Sequence, residues 1–148
     1  MSHESAPPTP EQAAFLLAHR VGHLATVDAQ GRPHNVPVCF ALLGGHVYIA
    51  VDEKPKRVTP ERLRRVRNVQ ANPAVCLVVD DDDEDWSRLA WLQVRGRATL
   101  VEDPAERTAA LAALRARYPQ YRAMALEGRP LLRITPQRWV DWRAAPGS

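Results

Sequence analysis

"HLATVDAQGRPHNVPVCFALLGGHVYIAVD", residues 23–52, decides the architecture. Apolar, β-branched and aromatic residues dominate it, and turn residues cut it twice, at Ala29-Gln30-Gly31 and Gly44-Gly45. Such runs between closely spaced turn signals make antiparallel strands joined as hairpins. Three strands are expected, near 23–28, 34–43 and 46–52, in a meander. Pro37 has no N–H to give to a ladder. Inside the second run it marks an edge, a bulge or a place where the strand leaves its neighbour.

Working outward, Thr9-Pro10-Glu11-Gln12 reads as a helix start, with Thr9 as N-cap, Pro10 at N1 and Gln12 placed for a capping box. That helix runs to about His19 and stops before Gly22. Residues 1–8 are expected to form a flexible tail ahead of one domain over 9–148. Downstream, Thr59-Pro60 opens a second helix that reaches about Ala71, where Asn72-Pro73 ends it. "AVCLVVD" (74–80) is a fourth strand and "LAWLQVRGRATLVE" (89–102) a fifth. Asp103-Pro104-Ala105-Glu106 repeats the capping-box pattern and opens a helix to about Arg117. "LLRIT" (131–135) and "RWVDW" (138–142) close the sheet as two further strands. The expected fold is mainly β: a six- to seven-stranded antiparallel barrel with about three helices.

Composition narrows the function classes. At 148 residues there is room for one core of ordinary size, and 45% hydrophobic with 25% charged residues is the balance of a globular protein. No apolar run approaches the roughly 20 residues that span a bilayer. The start, "MSHESAPPTP", has neither the basic nor the apolar region of an export signal, so a cytoplasmic location is expected. Cys39 and Cys76, far apart and without metal-ligand spacing, are expected to be buried thiols.

Charge is concentrated in "KPKRVTPERLRRVRN" (54–68), where seven of fifteen residues are Lys or Arg and the only acid is Glu61. Lys54, Lys56 and Arg57 sit in a loop between a strand end and a helix N-terminus, a combination that makes an anion pocket. On the helix, Leu63, Val66 and Val69 form one apolar stripe. Arg64, Arg65 and Asn68 are expected on the opposite side, and the outermost arginines on a solvated face. Duplex DNA fits poorly, because no nucleic-acid-binding motif accompanies the charge and acids elsewhere nearly balance it. A phosphorylated small molecule needs only three or four cations. "DDDDED" (80–85) lacks the spacing of a calcium loop and reads as a solvated connection. His19 and His23 are separated by a helix-ending Gly22, which spoils a shared metal face. No nucleophile–base arrangement stands out, so no side chain is nominated as catalytic. Cations on a β scaffold suit a protein whose cofactor carries the hard chemical step.

Three pieces in order, "GHLATVDAQGRPHNVPVCFALLGGHVYIAVDEKPKR", "RLRRVRNVQANPAVCLVVD" and "VRGRATLVED", resemble the flavin- and deazaflavin-binding split β-barrel family of pyridoxamine 5′-phosphate oxidase-like proteins. The likeness covers about residues 10–142. It is greatest to small actinobacterial-type members described as coenzyme F420-dependent oxidoreductases, several of which carry a similar "VDEKPKR" and "DEDWS". The resemblance implies a homodimeric split barrel, with two cofactor sites at the subunit interface and a small-molecule substrate. It places Asn35, Val36, Pro37 and Val38 against the cofactor ring. Ala50, Val51, Lys54, Lys56 and Arg57 fall on the phosphate side, and Arg65 stands where relatives often carry a phosphate-binding Lys. Trp86 is expected to approach the site from the partner subunit. The implied activity is hydride transfer from reduced coenzyme F420. An FMN oxidase or reductase of the same fold, and a non-catalytic cofactor- or haem-binding protein, are the alternatives. The ending "RWVDWRAAPGS" lacks the Arg-x-His of pyridoxamine phosphate oxidase proper.

Overall fold

A computed structural model describes residues 5–51 and 60–145, with the backbone alone for 60–63. The expected phosphate-side residues Lys54, Lys56 and Arg57, and the helix-opening Thr59, lie outside the described residues. The chain runs α1 (Pro10–Leu17), β1 (Gly22–Val27), β2 (Pro33–Val38), β3 (Ala41–Leu43), β4 (His46–Ala50), α2 (Pro60–Ala71), β5 (Ala74–Asp81), β6 (Ala90–Leu100), α3 (Pro104–Arg117) and β7 (Leu131–Arg143). All seven strands join one curled antiparallel sheet in the order β2-β1-β5-β6-β7-β4-β3, the split-barrel architecture. Among the described residues, no helix is long and apolar enough to cross a membrane.

The expected meander is corrected. Residues 33–43 do not form one strand: β2 ends at Val38 and β3 begins at Ala41, on the opposite edge of the sheet. Two residues, Cys39 and Phe40, make the crossing. Phe40 is fully buried and its N–H donates to Tyr118 Oη at 3.0 Å. The Tyr118 hydroxyl also lies 3.0 Å from Phe40 O and 2.8 Å from Arg20 O, while the Arg117 guanidinium covers the Phe40 ring at 4.9 Å. Pro37 therefore sits on an edge strand paired only with β1, where its missing N–H leaves no ladder bond unmade.

The second correction joins what had been expected as two closing strands. Residues 131–143 are continuous in β7, and the break suggested by Pro136-Gln137 becomes a bulge: Gly96 pairs with Pro136 but Arg95 with Arg138. A bulge takes up a proline without ending the strand. Gly96 is required there, since a Cβ would lie 2.2 Å from Thr135 O. Near this point Ala6 N–H donates to Pro136 O, and Trp139 Nε1–H donates to Ala6 O, both at 2.7 Å.

Strand alternation divides the core in two. Val47 and Ile49 of β4 join Leu24, Phe40, Leu77, Leu92, Leu132 and Ile134 inside the curl. Tyr48 and Ala50 face the other way, into a second cluster with Leu111 and Leu114 of α3. Thr9 and Gln12 make the full capping box at α1, with bonds of 3.1 and 3.0 Å. At α3 only half of the pattern forms. Asp103 accepts from Glu106 N–H at 2.9 Å, but the Glu106 carboxylate instead receives Tyr48 Oη–H at 2.7 Å and Arg133 Nη1 at 2.8 Å.

Candidate functional site

α2 follows β4 in the chain and lies against β1 and β6. Its buried side is not the expected apolar stripe alone. Arg65 is 7% exposed and Asn68 3%, beside Val69 at 4%, whereas Val66 is only half-buried. The helix is thus turned so that Arg65 and Asn68, expected on its outer side, point into the protein. Asn68 Nδ2–H donates to Thr26 Oγ1 at 3.0 Å, and Thr26 is itself buried. This cross-link between α2 and β1 was not anticipated from the residues. Its only sequence signal was the "RN" pair, which hydrophobic periodicity would have put outside.

Arg65 opens onto a small concavity of about 130 Å³, lined by Val21, Pro37, Val38, Cys39, Ala50 and Arg65. Four of the residues expected to hold a cofactor, Pro37, Val38, Ala50 and Arg65, thus converge from β2, β4 and α2. Asn35 and Val36 do not line it. Alternation along β2 exposes Asn35 and turns Val36 toward the inner core. Val51 is buried, and its N–H donates to Pro130 O at 3.0 Å. Trp86 stands 76% exposed on a short 3-10 turn, Trp86–Arg88, after the acidic run. Asp85 caps that turn, its Oδ1 accepting from Ser87 N–H at 3.1 Å and Ser87 Oγ–H at 2.7 Å. Those bonds hold the Asp85 carboxyl below the usual carboxylate range.

The chemistry available at this pocket is recognition rather than proton transfer. A guanidinium is planar, permanently charged and suited to phosphate or carboxylate, and apolar strand surface lies next to it. A ligand that combines an anion with a flat apolar body fits this pairing. Cys76 lies elsewhere, on β5, and burial pushes its thiol up, away from thiolate character.

A larger concavity, about 450 Å³, lies between α1 and the ends of β6 and β7. Trp91 and Trp142 stack there with centroids 6.5 Å apart, close to Phe15, and Gln12 Nε2–H donates to Asp141 Oδ2 at 2.9 Å. Trp142 is 44% exposed. None of the residues lining this concavity was picked out from the sequence as a site residue, although Gln12 was read as part of a helix cap.

The family profile described as pyridoxamine 5′-phosphate oxidase matches residues 8–143. A 5a,11a-dehydrotetracycline/5a,11a-dehydrooxytetracycline reductase of Streptomyces rimosus is 40% identical over 75 residues, which are 51% of this chain and 50% of that protein. The match thus spans half the length of that relative. Among solved structures, a conserved hypothetical protein of Mycobacterium tuberculosis superposes with a TM-score of 0.74 at 22% identity, over 97% of this chain and 89% of the other. A protein of Mycobacterium smegmatis described as FAD-binding gives a TM-score of 0.67 at 22% identity, over 95% and 98%. At such identities the likeness to these two structures is one of fold.

Proposed function

Because the chain belongs to the pyridoxamine 5′-phosphate oxidase family, we propose that it is an oxidoreductase that binds a flavin-type cofactor, and that the cofactor is F420. The observation that carries this reading is the convergence of Pro37, Val38 and Ala50 with a nine-tenths-buried arginine, Arg65, around one pocket. The reductase name of the Streptomyces relative supports the reaction type. Arg65, with Lys54, Lys56 and Arg57, would hold the phosphate-bearing tail, and β2 and Ala50 would lie along the ring. The chemistry supplied by the bound cofactor is hydride donation to an unsaturated organic molecule. The protein's own part is to fix the ring's orientation and to keep water from one of its faces.

A pocket of about 130 Å³ is smaller than the ~300–1,000 Å³ that encloses a small-molecule ligand. A second wall is needed, and a second copy of the chain is the occupant we propose, with Trp86 reaching toward its partner's pocket. A symmetric pair would cover apolar surface on both copies. A stable monomer by light scattering at micromolar concentration overturns this part.

Titration of the purified protein with F420 and with FMN tests the whole. F420 is expected to bind and to support turnover of enone or quinone acceptors. No affinity for F420 with tight binding of FMN would replace it by the second reading, a flavin enzyme of the same fold, whose preparation would be yellow. The family description, that of an oxidase class, keeps this second reading in view.

A further inference from the structure

Reduction of an unsaturated molecule needs a proton as well as a hydride. A hydride that reaches the β-carbon of an enone brings one hydrogen and two electrons. The π pair then moves onto the carbonyl oxygen as an enolate, and one proton must arrive at the α-carbon. The residues lining the Arg65 pocket are poorly suited to deliver it. Val21, Pro37, Val38 and Ala50 are apolar, and Cys39 packs against the core cluster under α3. Arg65 holds its proton too firmly to give it up.

A group that can do so stands just outside the lining. His23 has one lining residue, Val21, two positions before it in the chain and another, Pro37, directly opposite it on β2. Opposite residues of an antiparallel pair share a face, with Cβ atoms about 4.5–5.5 Å apart. That face is the outer one. His23, Asn35 and Pro37 are exposed on it, whereas Leu24 and Val38 are buried behind it. Among the described residues, the His23 ring makes no hydrogen bond, ion pair or ring contact. The other described histidines are placed differently. His19 engages both ring nitrogens, with Phe15 O at 2.7 Å and Asp81 Oδ1 at 2.6 Å. His34 shares the inward side of β2 with Val36, and His46 opens β4 toward the far edge of the sheet. The titratable and charged groups on the outer face beside His23 belong to β5 and β6. Cys76 and Asp80 flank its cross-strand neighbour Val78, and Arg95 lies opposite Cys76.

We propose that His23 is the proton donor of the reduction, protonating the α-carbon of the acceptor as hydride reaches the β-carbon. This rests on the function proposed above, which lays the cofactor ring along β2. The acceptor gains two electrons, one hydride hydrogen and one proton, and the cofactor gives up the hydride. The exposed imidazole recovers its proton from water before the next turnover. Imidazole suits this task because an unperturbed one changes charge between about pH 5 and 8.

Wild type, His23→Gln and His23→Ala would be compared using F420 and a series of enones led by 2-cyclohexenone. Replacing an exposed side chain without partners changes stability little, so both variants are expected to fold and to bind F420 within about twofold of wild type. Their kcat is expected to fall about 10²–10⁴-fold, the contribution of a positioned acid. In wild type kcat should decline as pH rises through the neutral range, because the donor must be protonated, and both variants should lose that limb. Added imidazole should restore part of the activity of His23→Ala. In the absence of turnover, the ring C–H signals of His23 should shift when oxidised F420 is added, while those of His46 stay in place. An unchanged kcat and pH profile in the variants, His23 signals indifferent to F420, or wild type that binds the cofactor but reduces no enone would each overturn the donor role and leave the cofactor reading intact. A loss of F420 affinity of about tenfold or more in His23→Gln would make His23 a cofactor-binding residue instead, which also overturns it. If FMN binds in place of F420, the same comparison is made with dithionite-reduced FMN. Wild type that binds neither cofactor overturns the cofactor reading and the donor role together.

Discussion

α2 and α3 are two helices of similar length on one sheet, built on opposite plans. α3 buries Ala110, Leu111 and Leu114 and is tied down around its rim. Arg107 donates to Val101 O and Arg129 O, Arg115 to Tyr121 O and Met124 O, and Tyr118, just past its end, gathers Arg20 and Phe40. α2 instead turns an arginine and an asparagine inward beside Val69. A buried guanidinium is costly to desolvate and adds little to stability by itself. Its place here is understandable if it serves a ligand. On the function proposed above, the difference teaches that one helix holds the sheet together and the other equips it.

The sharpest way to break this comparison is to cut α3's core. Leu114 is fully buried, and Leu114→Ala is expected to cost about 2–5 kcal/mol of unfolding free energy, with cofactor affinity of the folded fraction unchanged. Urea unfolding with a parallel binding titration measures both. The mirror experiment is Arg65→Ala, expected to raise the cofactor dissociation constant about ten- to hundredfold while the melting temperature moves little. Lys56→Ala should behave likewise. A large loss of stability from Arg65→Ala with unchanged affinity would make α2 a second structural helix and erase the distinction.

A finer cut is Tyr118→Phe. It leaves the buried Phe40 N–H without its acceptor, at a cost of about 1–3 kcal/mol, and hydrogen exchange should show the loosening first at residues 39–41. The smallest effect concerns pH. The Tyr48 hydrogen bond, and then the Arg133 pair, hold Glu106 below the usual carboxylate range. Burial first, and then the bond to Glu106, push Tyr48 up to about 12. A carboxyl with a lowered folded-state pKa stabilises above its unfolded pKa, and that contribution is lost as pH falls through the folded value. The tyrosine works in the opposite sense, contributing below its unfolded pKa near 10 and losing that contribution as pH rises toward 12. Glu106→Gln should therefore flatten the melting-temperature profile on both its acid and its alkaline limb. An unchanged profile would dissociate the pair from α3's docking.

The same contrast explains what could be read from the sequence. α3 was legible because its buried positions are apolar and its N-cap is local. Antiparallel pairing followed from turn residues, which act over a few positions. The count of seven came out only because fusing β2 with β3 offset splitting β7, and the edge was one of three readings left open for Pro37. α2 was misread in rotation because hydrophobic spacing assigns Arg65 and Asn68 to solvent. Only the tertiary bond to Thr26 and the pocket beside β2 draw them inward. The crossing at Cys39–Phe40 was hidden for a related reason. "PVCFALL" is apolar throughout, and the hydroxyl that fixes its bend belongs to Tyr118, 78 residues away. Pro37, Val38, Ala50 and Arg65 line one concavity; that it holds a cofactor is the proposal made above.

The order of the strands also constrains how the chain can be made. β7 sits between β6 and β4, so the hairpin of β3 and β4 is hydrogen-bonded into the remainder of the sheet only along residues 131–134. During synthesis that hairpin waits, unattached along its length, until some eighty further residues have emerged. At about 5–20 residues per second, the wait is several seconds or more. Val47 and Ile49, fully buried in the folded protein, would lack their β7 neighbours Leu132 and Ile134 for that interval. A ribosome stalled before residue 131 would display a four-strand sheet and an orphan hairpin, and chaperones would meet this protein in that form.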